Sequence, residues 1–353
     1  MTGQTQNPLG GRHLPPPFPA AAPDGPDPAA DAFLASVLAI AGHGAGHIHA
    51  LLRAAGLLDR QGRMRARNPE TSRLNANGAP VQLCLTTPQH QPSVTDTRLL
   101  LDPFFDLPAT QRIRASLELA DALATRMGTP LPLDQLAPMA TLPGVGAIWL
   151  ALPLTHGGTP LPDPASAGIA AYFNPEVFGE TPWPDTRARL DRLLPNPARR
   201  QHLLDIAQSV STPICLAIEA AKNHATRVKL YLRATGDPAP VLAHLPADQR
   251  PNGPPDLLNP QSSWPASGVT LALGFAPDTG APDGAKVDLC LCPDCRAAAQ
   301  VPQGLRQRLQ QALPYSALPD HAGLALLGFA GGGKGARMNA YFAPHSNTQA
   351  GTC

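Results

Sequence analysis

Lysine is scarce in this chain. Only four of its 27 basic residues are Lys (Lys222, Lys229, Lys286 and Lys334), and charged residues of both signs make up 15% of 353. With a net charge of +1, no broad basic surface for nucleic acid is implied. Long apolar runs are missing too. The run FLASVLAIA, Phe33 to Ala41, is too short to span a bilayer and lies too far behind a charge-poor start for a usual signal peptide. It reads as a core helix of a cytoplasmic protein. Six irregularly spaced Cys favour free thiols over a disulfide framework. Tyr is as rare as Lys, with four in all, so the placement of each is informative.

Proline, by contrast, is abundant at 43 residues. The first thirty residues, with PLGGRHLPPPFPAAAPDGPDPAA, carry few bulky apolar groups and are expected to be disordered. A single domain is expected over 31–346, with a short tail at 347–353.

An internal repeat organises that domain. Five stretches, TDTRLLLDP, SAGIAAYFNP, ATRVKLYLRA, GAKVDLCLCP and GARMNAYFAP, share one register. Three residues back from each final position stand Leu100, Tyr172, Tyr231, Cys290 and Tyr341. Five back stand Arg98, Ala170, Lys229, Asp288 and Asn339; seven back stand Asp96, Gly168, Arg227, Lys286 and Arg337. An apolar strand precedes each unit (VQLCLTT, AIWLALPL, ICLAIEA, VTLALGFA and LALLGFA), which predicts five antiparallel hairpins. Segments with helical spacing, such as ATQRIRASLELADALATRM, DTRARLDRLLPNPARRQHLLDIAQSV and QGLRQRLQQAL, lie between the hairpins. The fold class expected is α+β: a ten-stranded antiparallel barrel, closed to remove its edges, surrounded by helices in five αββα units.

On a strand, positions two apart share a face. Arg227, Lys229 and Tyr231 therefore point together, and they cannot pack under apolar helices without a heavy desolvation cost. That face is expected to line the lumen. There, Arg98, Arg227, Lys229, Lys286 and Arg337 would form an anion clamp suited to a diphosphate. Tyr172, Tyr231 and Tyr341 would offer π-faces that stabilise a cation and exclude water. Asp288, Cys290 and Asn339 fall on the same face. A clamp beside an aromatic cage describes ionisation of an allylic diphosphate and capture of its carbocation by an acceptor.

Three other motifs carry less. GFAGGGKGA lacks the Ser or Thr of a P-loop and leads into a strand, so it reads as a hairpin turn. CLCPDC places Cys290, Cys292 and Cys295 together but has no second C-x-x-C for tetrahedral zinc. His43, His47 and His49 in GHGAGHIHALL read as ordinary helix surface. No metal site is expected.

The motifs NANGAPVQL with TRLLLDP, then AAYFNP, RVKLYL, KVDLCLCP and RMNAYFAP, occur in order from about residue 32 to 346. In this the chain resembles aromatic prenyltransferases of the ABBA-barrel class, specifically the indole (dimethylallyltryptophan synthase) group, of bacterial type. The resemblance implies that Arg98, Arg227 and Lys229 hold a prenyl diphosphate, that Tyr172, Tyr231 and Tyr341 shield the cation, and that no cofactor or metal is needed. It implies small-molecule partners only, with no nucleic acid and no membrane. Three positions depart from the family pattern. Ala170 stands where a clamp Lys is usual, Cys290 where a Tyr is usual, and Gln82 where a Glu accepts the indole N–H and assists proton removal. An amide can accept that hydrogen bond but cannot act as a base near neutral pH. Gln82 and His156 are the candidate catalytic residues, with Asp288 a second candidate for the proton, and Gln82→Glu is expected to raise activity on an indole. The reaction implied is metal-independent Friedel–Crafts transfer of a dimethylallyl group to tryptophan or a tryptophan-derived compound. The alternatives are a phenolic or other non-indole acceptor, or a barrel that binds a prenyl diphosphate without turnover.

Overall fold

The computed structural model describes residues 28–65, 71–72, 74–75, 78–88, 94, 96–126, 133–140, 146–154, 168–174, 182–221, 224–251, 268–290, 322–331 and 336–344. Ten strands form five hairpins: β1 (Val81–Pro88) with β2 (Asp96–Leu101), β3 (Ala147–Leu154) with β4 (Ile169–Asn174), β5 (Ser211–Ala221) with β6 (His224–Ala234), β7 (Val269–Phe275) with β8 (Pro282–Cys290), and β9 (Ala322–Ala330) with β10 (Arg337–Pro344). Every neighbouring pair is antiparallel, and β1 pairs with β10 through Cys84↔Tyr341 and Thr86↔Asn339, so the sheet closes on itself as expected. Closure leaves no strand edge exposed.

The period of two divides each strand. On β1, Val81, Leu83 and Leu85 belong to the main apolar core outside the barrel wall, whereas Cys84 and Thr86 line the lumen. On β6, Val228, Leu230 and Leu232 join that outer core, and Arg227, Lys229 and Tyr231 line the lumen. Burying each outward Leu contributes roughly 1.5–3 kcal/mol, which makes a one-residue slip of register prohibitive.

Helices supply the other side of this core. They are α1 (Pro28–Ala41), α2 (Ala45–Ala54), α3 (Ala109–Arg126), α4 (Leu133–Ala140), α5 (Pro182–Leu193), α6 (Ala198–Val210) and a short α7 (Ala239–Ala243). α1 contains the expected FLASVLAIA helix and buries Phe33, Val37 and Ile40, spaced for one face. The long segment read as helical from 185 onward is two helices, because Pro195 and Pro197 flank Asn196 in the left-handed region at φ 51°. Arg200, fully buried in α6, donates to the carbonyls of Pro195 at 2.8 Å and Leu194 at 3.3 Å and so caps the end of α5. The expected helix QGLRQRLQQAL, the Gly-rich turn after β9 and the Pro-rich segment before Pro28 lie outside the described residues. Among the described residues, no helix is long and apolar enough to cross a membrane.

One buried polar network fixes a loop that bears on the lumen. Asp102, just after β2, is ion-paired with Arg112 of α3 and accepts from Ser72 Oγ at 2.8 Å. Arg112 also donates to the Thr71 carbonyl at 2.9 Å. These bonds anchor the chain ahead of β1 to the barrel and to a helix at once. Asp102→Ala would leave Arg112 buried without its counter-charge, so a loss of about 3–5 kcal/mol is expected in urea unfolding.

Candidate functional site

The lumen is built by size. Ala151, Ala272, Gly274, Gly284, Ala285 and Ala330 line it, and their small side chains leave room for Arg, Lys and Tyr from other strands. A Cβ on Gly274 would lie 2.6 Å from Nη2 of Arg227, and one on Gly328 would lie 2.2 Å from Oδ1 of Asp288. Each glycine thus makes the space that a side chain of the adjacent strand occupies.

Arg98, Arg227, Lys229, Lys286 and Arg337 all line this one cavity, as do Tyr172, Tyr231, Tyr341 and Asn339. The cations do not stand alone. Glu219 of β5 also lines the cavity and accepts from Lys229 Nζ at 2.5 Å, with Arg98 Nη1 3.5 Å from the same oxygen. Asp96 holds Arg98 Nε at 3.0 Å, and Asp283 pairs with Arg227 Nε at 2.9 Å. Arg337 has no carboxylate within ion-pair distance among the described residues. Burial, with Arg227 and Arg98 nearby, depresses its pKa.

Lys286 departs from the layer its register implied. Its Nζ lies 2.8 Å from the Tyr341 hydroxyl and 2.7 Å from Asp288 Oδ2, 5.5 Å from the centre of the Tyr231 ring and 5.0 Å from that of Tyr341. Strands in a barrel are tilted and staggered, so equal sequence register does not give equal height. Lys286 is level with Arg337 through Ala330 on one side and with Tyr231 through Ala272 on the other. A cation, ion-paired with Asp288, therefore already stands near the Tyr231 ring and at the hydroxyl end of Tyr341. Tyr172 and Tyr231 meet at 5.7 Å between centroids, tilted by 50°. Burial raises the pKa of all three phenols, so they act as neutral rings and hydroxyl donors, not as bases.

The remaining candidates divide. Asn339 Oδ1 accepts from Thr86 Oγ1 at 2.9 Å. Asp288 is buried behind Lys286 and beside Gly328, so its carboxylate is held by an ion pair. Cys290 is half-buried at the end of β8, across from Leu326. Cys84, by contrast, lines the cavity, and burial raises its thiol to about 11. His156, Cys292 and Cys295 lie outside the described residues, as does the side chain of His43.

Gln82 shares the inward face of β1 and is buried, with its orientation fixed from behind. Asn75 donates its Nδ2 to the carbonyls of Ala79 at 2.8 Å and Val81 at 3.0 Å, so its Oδ1 must accept. The donor to that oxygen is Gln82 Nε2 at 2.9 Å, which settles which end of the Gln82 amide is which. Leu74, next to Asn75, packs with Cys84, Leu100, Ala151 and Ala170 inside the barrel, and Trp149 and Tyr341 close over them. The Asn75 relay, Trp149 and Glu219 were all missed from sequence. Only Glu219 left a signal, as the one charged residue in ICLAIEA.

The topology is that of the ABBA barrel. No protein-family model matches the chain, and no curated protein matches it by sequence. Solved structures do match in fold. A 5-dimethylallyltryptophan synthase from Streptomyces coelicolor, in complex with DMASPP and Trp, superposes over 92% of this chain and 95% of its own, with TM-score 0.68 and 21% identity. A 6-dimethylallyltryptophan synthase from Micromonospora olivasterospora, also with DMASPP and Trp, covers 89% and 96% with TM-score 0.63 and 19% identity. The prenyltransferase PriB, in a ternary complex with L-tryptophan and dimethylallyl thiolodiphosphate, covers 90% and 98% with TM-score 0.63 and 21% identity.

Two outcomes follow from this geometry. Burial by itself would raise the Glu219 carboxyl above its ordinary 4.5, but Lys229 and Arg98 outweigh it and hold the group far lower. Glu219 then stabilises the fold above its unfolded pKa, and that contribution is lost as pH falls toward the folded value. Melting temperatures measured from about pH 5 to about pH 3 should fall less steeply for Glu219→Gln than for wild type. At the other end of the lumen, Gln82→Glu would set a carboxylate against Asn75 Oδ1. Two acceptors cannot pair, so the new carboxyl should hold its proton to a pH above the usual carboxylate range. Any gain in activity on an indole should therefore appear only toward alkaline pH, which a pH–rate profile would register.

Proposed function

We propose that this protein transfers a prenyl group, most simply dimethylallyl, from its diphosphate to an aromatic acceptor. The observation that carries the reading is the convergence of five cations and three tyrosines in one closed lumen. Arg227, Arg337, Lys229 and Arg98 bind the diphosphate oxygens through charge-assisted hydrogen bonds and stabilise the leaving group as the C–O bond ionises. The π-faces of Tyr172, Tyr231 and Tyr341 stabilise the allylic cation by about 0.5–2 kcal/mol each and keep water from it. The acceptor ring attacks the cation carbon, forming the new C–C bond, and then loses a proton. Gln82 accepts a hydrogen bond from the acceptor's N–H and orients it. The proton goes to another base, for which His156 is the candidate, since the Asp288 carboxylate is tied to Lys286.

The fold neighbours bind tryptophan with a dimethylallyl diphosphate analogue, which supports an indole acceptor. Gln82 in place of an acid supports a second reading, an acceptor that loses its proton without help at that position, such as a phenol. Incubation with dimethylallyl diphosphate and L-tryptophan in EDTA, followed by mass spectrometry, tests both the acceptor and metal independence. A gain of one C5H8 unit on tryptophan supports the first reading. A gain only on phenols supports the second, and turnover only with added Mg²⁺ ends the claim of metal independence.

Lys229→Met removes one charged donor to the diphosphate, so donor affinity is expected to fall roughly 10–100-fold. Burial drives the Lys229 pKa down to about 8, with Glu219 opposing the shift and Arg227 and Arg98 adding to it. An anion binds the protonated form, so calorimetric affinity for inorganic diphosphate should weaken as pH rises through about 8.

A further inference from the structure

Glu219 has no part in the chemistry just described, yet it sits in the middle of the anion-binding residues. Its carboxylate is about one-fifth exposed, and it lines the same cavity as the two cations it contacts. Lys229 and Arg98 reach one of its oxygens together. Directly across on β4 stands Ala170, whose methyl group offers it no counter-charge. A carboxylate oxygen and a phosphate oxygen accept the same charge-assisted hydrogen bonds from Lys and Arg. Two such anions cannot share Lys229 and Arg98 without repelling each other across a few ångströms in a poorly screened interior. The cavity is lined by five cations against two carboxylates, Asp96 and Glu219. Asp96 reaches Arg98 from the same strand two residues away, so it serves Arg98 alone. Glu219 bridges cations from two different strands, β2 and β6, where an incoming anion would also have to bridge.

We propose that Glu219 is a resident counter-ion of the diphosphate site. It neutralises Lys229 and Arg98 until an anion binds and is then displaced from them. Its charge thereby limits affinity for the donor and for the diphosphate product alike, and so favours product release. This inference rests on the prenyl-diphosphate reading of the lumen.

The test is calorimetric titration of inorganic diphosphate into wild type and Glu219→Gln, in EDTA and from pH of about 8 downward; loss of Glu219 lowers the Lys229 pKa further, so the two are compared where the affinity of each no longer rises as pH falls. Gln keeps an oxygen for Lys229 but not the charge. The variant is expected to bind diphosphate roughly tenfold tighter, to melt lower than wild type on its own, and to gain more in melting temperature on adding diphosphate. Equal or weaker binding by the variant, with wild type binding diphosphate normally, overturns the counter-ion role and leaves the proposed function standing. No binding by either protein overturns both. Should Glu219→Gln fail to fold, Ala170→Gln asks the same question by offering Glu219 a neutral amide donor from directly across on β4, which draws it from Lys229 and Arg98 and adds no charge to the cavity. Tighter diphosphate binding supports the proposal; unchanged or weaker binding overturns it.

Discussion

Charge enclosed by a closed wall of paired strands has to be balanced inside that wall, and most features of this lumen follow from it. Lys229 and Arg98 share Glu219, Arg227 is met by Asp283, and Lys286 by Asp288. Isolated buried charges would cost more than the barrel's apolar shell could offset. The pairing makes the cation-rich lumen compatible with a stable fold. Among the described residues it leaves Arg337 without a carboxylate in ion-pair distance, so the cavity surface keeps an excess of positive charge.

The same lumen is polar at one end and apolar at the other. Arg337 and Arg227 belong to the charged end. Leu74, Leu100, Ala151 and Trp149 gather near Gln82 at the other. Lys286 stands between, hydrogen-bonded to a tyrosine hydroxyl and set against two tyrosine rings. An allylic diphosphate has the matching polarity, with an anionic head, a carbon that becomes cationic and an apolar tail. The positive charge of Lys286 beside these rings is balanced by Asp288.

Gln82 is oriented by residues that stand outside the cavity lining. Arg112 and Ser72 hold Asp102, the loop anchored by them carries Asn75, and Asn75 dictates the sense of the Gln82 amide. A hydrogen bond from an acceptor N–H can therefore be specific here without an acid. The arrangement also makes a carboxylate at position 82 electrostatically awkward unless Asn75 changes with it.

Much of this was legible in the sequence. Period-two alternation fixed which residues of TRVKLYLRA share a face, and repetition of that pattern at one register gave five hairpins, hence a closed barrel and a lumen lined by Arg98, Lys229, Tyr172 and Tyr231. Alternation is a local property of the chain, which is why it could be read without coordinates. Height within the barrel is not local. It depends on strand tilt and stagger, so only the tertiary structure placed Lys286 level with Tyr231 as well as with Arg337, and so beside the tyrosines. The break at Asn196 was likewise hidden by good helical spacing on both sides of two prolines. Long-range pairing was beyond the sequence altogether: nothing in ICLAIEA says that Glu219 meets Arg98 from a strand over a hundred residues earlier. Side-chain identity along one strand is written in the chain; which charges face each other is decided where the strands close.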